Sequence, residues 1–383
     1  MPIDSALSAV LGSVGVPPEL IASCDPLTGG TYNAVTRVGL TDGREWVVKT
    51  PPPTTAGTHL GYERDLLVNE VAFYTAAAAL ADGTPVPRVV HSGLDAAAPE
   101  GAYVIMTACP GQPWHEVTGA MADGEEQRLR GDLGRAVGRL HTAPAPGGFG
   151  YPSAALAPLA PTWRQAFTTM TDAVLTDALA YAARLPRAAP DIRGLLGAAS
   201  YVLDDVTRPA LVHFDLWQGN ILVAGEPGAR RIGGIIDGER MFWGDPAADF
   251  VSLALFGNIE EDKDFLDGYG ASAPGGPVEF DGSLRLRLAL YRSYLYLIML
   301  VETVPRKTAG EDLEGTWNEV APRLEAALGE VESALRTGGV TAAPAVRGVR
   351  FVSASGRVGR RGGSAGGRHR GRRTPPGGCA GRR

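Results

Sequence analysis

The stretch His213-Phe214-Asp215-Leu216-Trp217-Gln218-Gly219-Asn220 decides how this chain is read. It follows the short apolar run Ala210-Leu211-Val212, and a second apolar run, Ile232-Gly233-Gly234-Ile235-Ile236, ends in Asp237, seventeen residues past Asn220. Glu226-Pro227-Gly228 supplies the turn between them. Two short strands joined this way bring Asp215, Asn220 and Asp237 to neighbouring strand ends. A carboxylate that can take a proton, beside an amide and a second carboxylate that can hold a hard cation, is the equipment of phosphoryl transfer.

His213, Asp215 and Asn220 stand at the spacing of the kinase catalytic loop, in which the Asp accepts the substrate hydroxyl proton and the Asn holds magnesium. Asp237 occupies the place of the second metal-binding carboxylate. A positive group over the nucleotide phosphates is also required, and Lys49, closing the strand Trp46-Val47-Val48, meets it with Glu70 on the following helical segment as its partner. Gly29 and Gly30, ahead of the hairpin signal Thr41-Asp42-Gly43, can bring backbone amides close to phosphate. His213 is expected to orient the loop by hydrogen bonding.

Working outward, residues 1–108 read as strand-rich, with one helix from Leu67 to Leu80 stopped by Pro85 and Pro87, and strands at Val89-Val90-His91 and Tyr103 to Met106. Residues 109–336 read as mainly helical: Glu125 to His141, Trp163 to Leu185, and long helices from Ala247, Leu284 and Trp317. Residues 337–383 form a Gly/Arg-rich tail with almost no apolar periodicity, expected to be disordered. The fold class is α+β, a small β-rich N-lobe and a larger mainly helical C-lobe.

The segments Gly29-Gly30 to Asn33, Val48-Lys49, Asn69-Glu70, Val104 to Thr107, Gly138 to His141, His213 to Asn220, Ile236-Asp237 and Gly244 to Asp249 together resemble the aminoglycoside phosphotransferase family, in the family order. The resemblance covers residues 25–330 and implies a bilobal protein-kinase-like fold with ATP between the lobes. It implies adenine bonded to backbone from Thr107 to Cys109, Asp215 as base, and Asn220 and Asp237 as Mg2+ ligands. The family usually has His-Gly-Asp where this chain has Phe214, and an aromatic residue after the metal-binding Asp where this chain has Gly238. Trp217 within Asp215 to Asn220 also resembles the ketosamine kinases, a sister family.

Three functions follow. The first is an ATP- and Mg2+-dependent phosphotransferase acting on a hydroxyl of a small molecule, such as an aminoglycoside-like antibiotic, with antibiotic resistance as its role. The second is a ketosamine or other metabolite kinase. The third, raised by Phe214 and Gly238, is a non-catalytic nucleotide-binding protein. Glu239, Trp243 and the run Glu260 to Asp264 are candidates to face a cationic acceptor, the run serving equally well as a solvated helix face.

Composition fits these readings without selecting one. The 383 residues are 44% hydrophobic and 20% charged, as in an ordinary globular protein. The net charge is −6, yet residues 337–383 hold eleven arginines and no acidic residue, so the preceding body is strongly acidic. Nucleic acid is therefore an unlikely partner except through the tail. The N-terminus lacks the basic region of a secretory signal, and Leu288 to Val301 is shorter than the about 20 apolar residues of a membrane span, so a cytoplasmic location is expected. Cys24, Cys109 and Cys379 are too few and too scattered for a disulfide framework.

Overall fold

The computed structural model describes residues 5–27, 32–52, 59–80 and 83–338. Gly29, Gly30 and the tail beyond 338 lie outside the described residues. The chain begins with helix α1 (Ser5–Ser13) and continues through β1 (Ile21–Leu27), β2 (Ala34–Leu40), β3 (Glu45–Thr50), α2 (Leu66–Ala78), β4 (Val89–Gly93) and β5 (Tyr103–Thr107). Those strands form one antiparallel sheet in the order β1-β2-β3-β5-β4.

Alternation along β3 explains how this sheet is buried on two faces. Trp46 and Val48 point to a core with Val10, Leu11, Val38 and Ile105 beneath α1, while Lys49 points the other way and meets Glu70 on α2. Helix α1 was not foreseen from the sequence, because nine residues give too few turns to display a period.

The second part contains β6 (Gln112–Pro113), α3 (Trp114–Val117), α4 (Glu125–Leu140), α5 (Trp163–Ala180), α6 (Ala189–Ala199), β7 (Ala210–Val212), β8 (Ile221–Ala224), β9 (Arg231–Ile235), β10 (Phe242–Gly244), α7 (Asp249–Leu253), α8 (Lys263–Gly270), α9 (Gly282–Val301) and α10 (Gly310–Gly338). Its strands are short: β6, β8 and β9 form one sheet, and β7 pairs with β10. Helix α9 is the core element, with Leu288, Tyr291, Tyr294, Leu297 and Ile298 buried. The α+β bilobal kinase-like fold is thus present.

Two helix expectations are corrected. The helix from Ala247 ends at Leu253 rather than running on: Ala254 leaves the spiral at φ −109°, ψ 45°, and Phe256 follows with a left-handed φ of 65°. Helix α10 starts seven residues before Trp317 and continues to Gly338, past the expected tail boundary at 337.

Candidate active site

Asp215 follows β7 in a loop whose backbone is pinned from below. The N–H of His213 donates to Asp249 Oδ1 at 3.0 Å and that of Phe214 to the same oxygen at 2.7 Å. Asp249 also meets His141 Nε2 at 2.9 Å, and His141 Nδ1 meets the Tyr269 hydroxyl at 2.8 Å. His141 and Asp249 are therefore buried scaffold. His213 uses both ring nitrogens: Nε2 donates to the Ile236 carbonyl at 2.9 Å, and Nδ1 accepts from the Asp215 N–H at 3.2 Å. The ring thus ties the loop to the end of β9.

Phe214 stands at φ 64°, the left-handed region that favours glycine. The backbone has kept the shape a glycine would take, at a cost of about 1–2 kcal/mol. Burial of the ring offsets it, since Phe214 is fully buried against Phe242 at 5.0 Å and Tyr294 at 5.5 Å, and a buried Phe contributes about 1.5–3 kcal/mol.

Asp237 also has a positive φ, 66°. Its N–H donates to the Tyr74 hydroxyl at 2.9 Å, and that hydroxyl donates to Glu70 Oε1 at 3.0 Å. Lys49 Nζ donates to Glu70 Oε1 at 2.8 Å and to Asp237 Oδ1, and lies 3.6 Å from Glu239 Oε2. Gly238 follows, and a Cβ there would sit 2.5 Å from the Phe73 ring. Phe73 on α2 fills the space an aromatic side chain at 238 would need, and packs edge-on against His213 at 5.0 Å.

One ammonium therefore faces three carboxylates. Burial, with Asp237 nearby, pushes Glu239 up to about 8, while Lys49 holds Asp237 below the usual carboxylate range against the cost of its burial. This surplus of negative charge fits a hard divalent cation. Asn220 donates its amide to the Asp215 carbonyl at 2.9 Å, so its oxygen is the group left for a cation beside Asp237. Among the described residues no group of three or more His, Cys, Asp or Glu could hold a metal alone. A cation here would need phosphate oxygens too, as is usual for magnesium.

Burial raises the carboxyl of Asp215, and Arg240, whose Nε lies 3.9 Å away, opposes the rise. Arg240 in turn donates to Glu302 at 2.9 Å. Asp215, Asn220, Asp237, Lys49, Glu239 and Arg240 all line a cavity of about 380 Å³, with Trp217 and residues of α9. Arg240 carried no sequence signal beyond standing three residues after Asp237. Tyr74 was detectable in principle as the i+4 neighbour of Glu70.

The remaining sequence candidates lie elsewhere. Trp243 is only 4% exposed, paired with Leu211 in β10 and bonded through its backbone to Gly150, and it does not line the cavity. Glu260 and Asp262 are ion-paired with Arg285 and Arg130, and Asp262 caps α8, so that run is structural. Thr107 and Ala108 spend their N–H groups on the carbonyls of Arg88 and Glu45. Burial lifts the Cys109 thiol to about 11, which suits a packing side chain.

A kinase-like fold with a lysine, two carboxylates and an amide around one cleft defines the phosphotransferase class. Residues 23–281 match the model of the phosphotransferase enzyme family, and the chain belongs to that family. A probable ketoamine kinase of Synechocystis is 36% identical over 90 residues, which make up 23% of this chain and 25% of that protein. The match thus spans about a quarter of that relative. A putative fructosamine-3-kinase from Thermobifida fusca shares the fold at TM-score 0.59 and 20% identity, over 88% of this chain and all of the other. Aminoglycoside phosphotransferase APH(4)-Ia, solved as a thermostable mutant with AMP-PNP and hygromycin B, shares it at TM-score 0.52 and 16% identity, over 88% of this chain and all of the other. No helix among the described residues is long and apolar enough to cross a membrane.

Proposed function

We propose that the protein transfers the γ-phosphoryl group of ATP to a hydroxyl of a small molecule, with Asp215 as the general base. The observation that carries this reading is the convergence of Asp215, Asn220, Asp237 and Lys49 on one cavity. Lys49 holds the nucleotide phosphates, and Glu70 and Tyr74 keep it and Asp237 in place. Asp237 and Asn220 are the ligands for Mg2+, which when bound neutralises phosphate charge. Asp215 takes the acceptor proton as the acceptor oxygen bonds to phosphorus and the bond to the β-phosphate oxygen breaks, releasing ADP. Arg240 favours the ionised base. Thr107 and Cys109 belong to the segment proposed to meet adenine, and Gly29 and Gly30 to the phosphate loop.

The two departures from the family pattern do not favour a non-catalytic protein. Phe214 keeps the left-handed backbone, and Phe73 occupies the space beside Gly238. The test is Asp215→Asn, followed by ADP release and by mass spectrometry of the acceptor. Removal of a general base should lower turnover about 10²–10⁴-fold while nucleotide binding persists. Undiminished turnover would remove Asp215 from the role.

A further inference from the structure

The part of the cavity built by α9 and the segments after α7 and α9 has a composition of its own. Its wall is apolar, from Leu255, Leu295 and Met299, and at its edge Trp217 is 41% exposed with its ring stacked on His115 at 5.7 Å. An indole left this open beside a cleft offers a flat apolar contact.

The charged groups in the same region are already paired with one another. The Glu302 carboxylate accepts from Arg240 at 2.9 Å and pairs with Arg306 at 2.6 Å. Arg306 also binds Glu63 at 2.8 Å, and Arg240 lies beside Asp215. Glu239 already faces Lys49 at 3.6 Å and accepts from the Asn33 amide at 2.5 Å. A polycation would have to shed water against two guanidinium groups, with no carboxylate free of a basic partner to receive its ammonium groups.

We infer that the acceptor is an uncharged or singly anionic hydroxyl compound with an extended apolar or aromatic face, seated against Trp217, Leu255, Leu295 and Met299, and not a polycation. The inference rests on the phosphotransferase reading for its reaction, and on the cavity lining alone for its substrate class.

The experiment uses the full-length protein saturated with Mg2+ and ADP for binding, and with Mg2+ and ATP for transfer. The probes are 4-nitrophenyl β-glucoside, 4-nitrophenyl β-glucuronide, methyl β-glucoside and kanamycin. Both aryl glycosides should bind at least about tenfold more tightly than the other two, as one apolar face in a pocket allows. Leu255→Asp and Met299→Gln should each reduce that preference while the affinity for ADP stays unchanged, which guards against simple misfolding. Kanamycin binding as well as the aryl glycosides, or no preference for aryl over methyl glucoside, overturns the inference. Preferential phosphorylation of kanamycin overturns it too and leaves the transfer reading standing. Aryl glycosides that bind without any phosphate transfer, at any probe concentration, support the substrate class and count against the transfer reading instead.

Discussion

The two ends of the cleft solve opposite electrostatic problems. At the Lys49 end one ammonium is set among Glu70, Asp237 and Glu239, leaving negative charge in excess. At the α9 end Arg240 and Arg306 are matched by Glu302 and Glu63, so the charges close on themselves. A buried excess of one sign is costly unless a ligand completes it, whereas a matched cluster is indifferent to further charge. On the proposed reading the first end receives a cation with phosphate, and the second holds something that brings little charge.

Removing the Lys49 ammonium from the unbalanced end is the severest way to break this contrast. Lys49→Met should cost about 3–5 kcal/mol in denaturant unfolding, because Glu70 stays fully buried without its partner. Phe214→Ala should cost about 3–5 kcal/mol for its lost ring. Phe214→Gly should lie about 1 kcal/mol closer to wild type than Phe214→Ala, since φ there is 64°. Glycine ranking below alanine in stability would mean that the loop relaxes out of the left-handed shape.

At the matched end Glu302→Gln should cost about 1.5–3 kcal/mol, the range for hydrogen bonds to charged groups. It should also lower the acid limb of the activity profile, because the Glu302 charge raises the Asp215 carboxyl, whereas loss of Arg240, which faces Asp215 directly, should raise it.

The smallest effect sharpens the contrast through pH. The folded-state value of Glu239, about 8, lies above the unfolded carboxyl, so the folded chain holds a proton there that the unfolded chain has lost. That contribution is complete below the unfolded value, about 4.3, and disappears as pH rises through about 8. Glu239→Gln should therefore raise the melting temperature of the ligand-free protein by about 2 °C at pH 8 and by less at pH 6. Adding Mg2+ and ADP should shrink the gain, and a gain equal at both pH values would count against a protonated Glu239.

Much of the site was legible because its residues are spaced by local geometry. Asp215 and Asn220 share one loop, Asp237 ends the next strand, and Lys49 and Glu70 mark a strand and the helix after it. What escaped were partners without a fixed sequence offset. Glu302 and Arg306 come from the segment after α9, and Phe73 meets Gly238 across more than 160 residues. Trp243 was misplaced because an aromatic near a catalytic motif reads the same whether it faces the cleft or the core; only the pairing of β10 with β7 turns it inward.

The sequence by itself determined the fold class, most of the order of the elements and the set of groups proposed for phosphoryl transfer, because periodicity and motif spacing act over a few residues. Only the tertiary structure decided that Phe214 could replace glycine, that Phe73 stands in beside Gly238, and that the α9 end of the cleft is neutralised. Those outcomes depend on which distant side chains share a desolvated space, where packing and charge pairing are settled together.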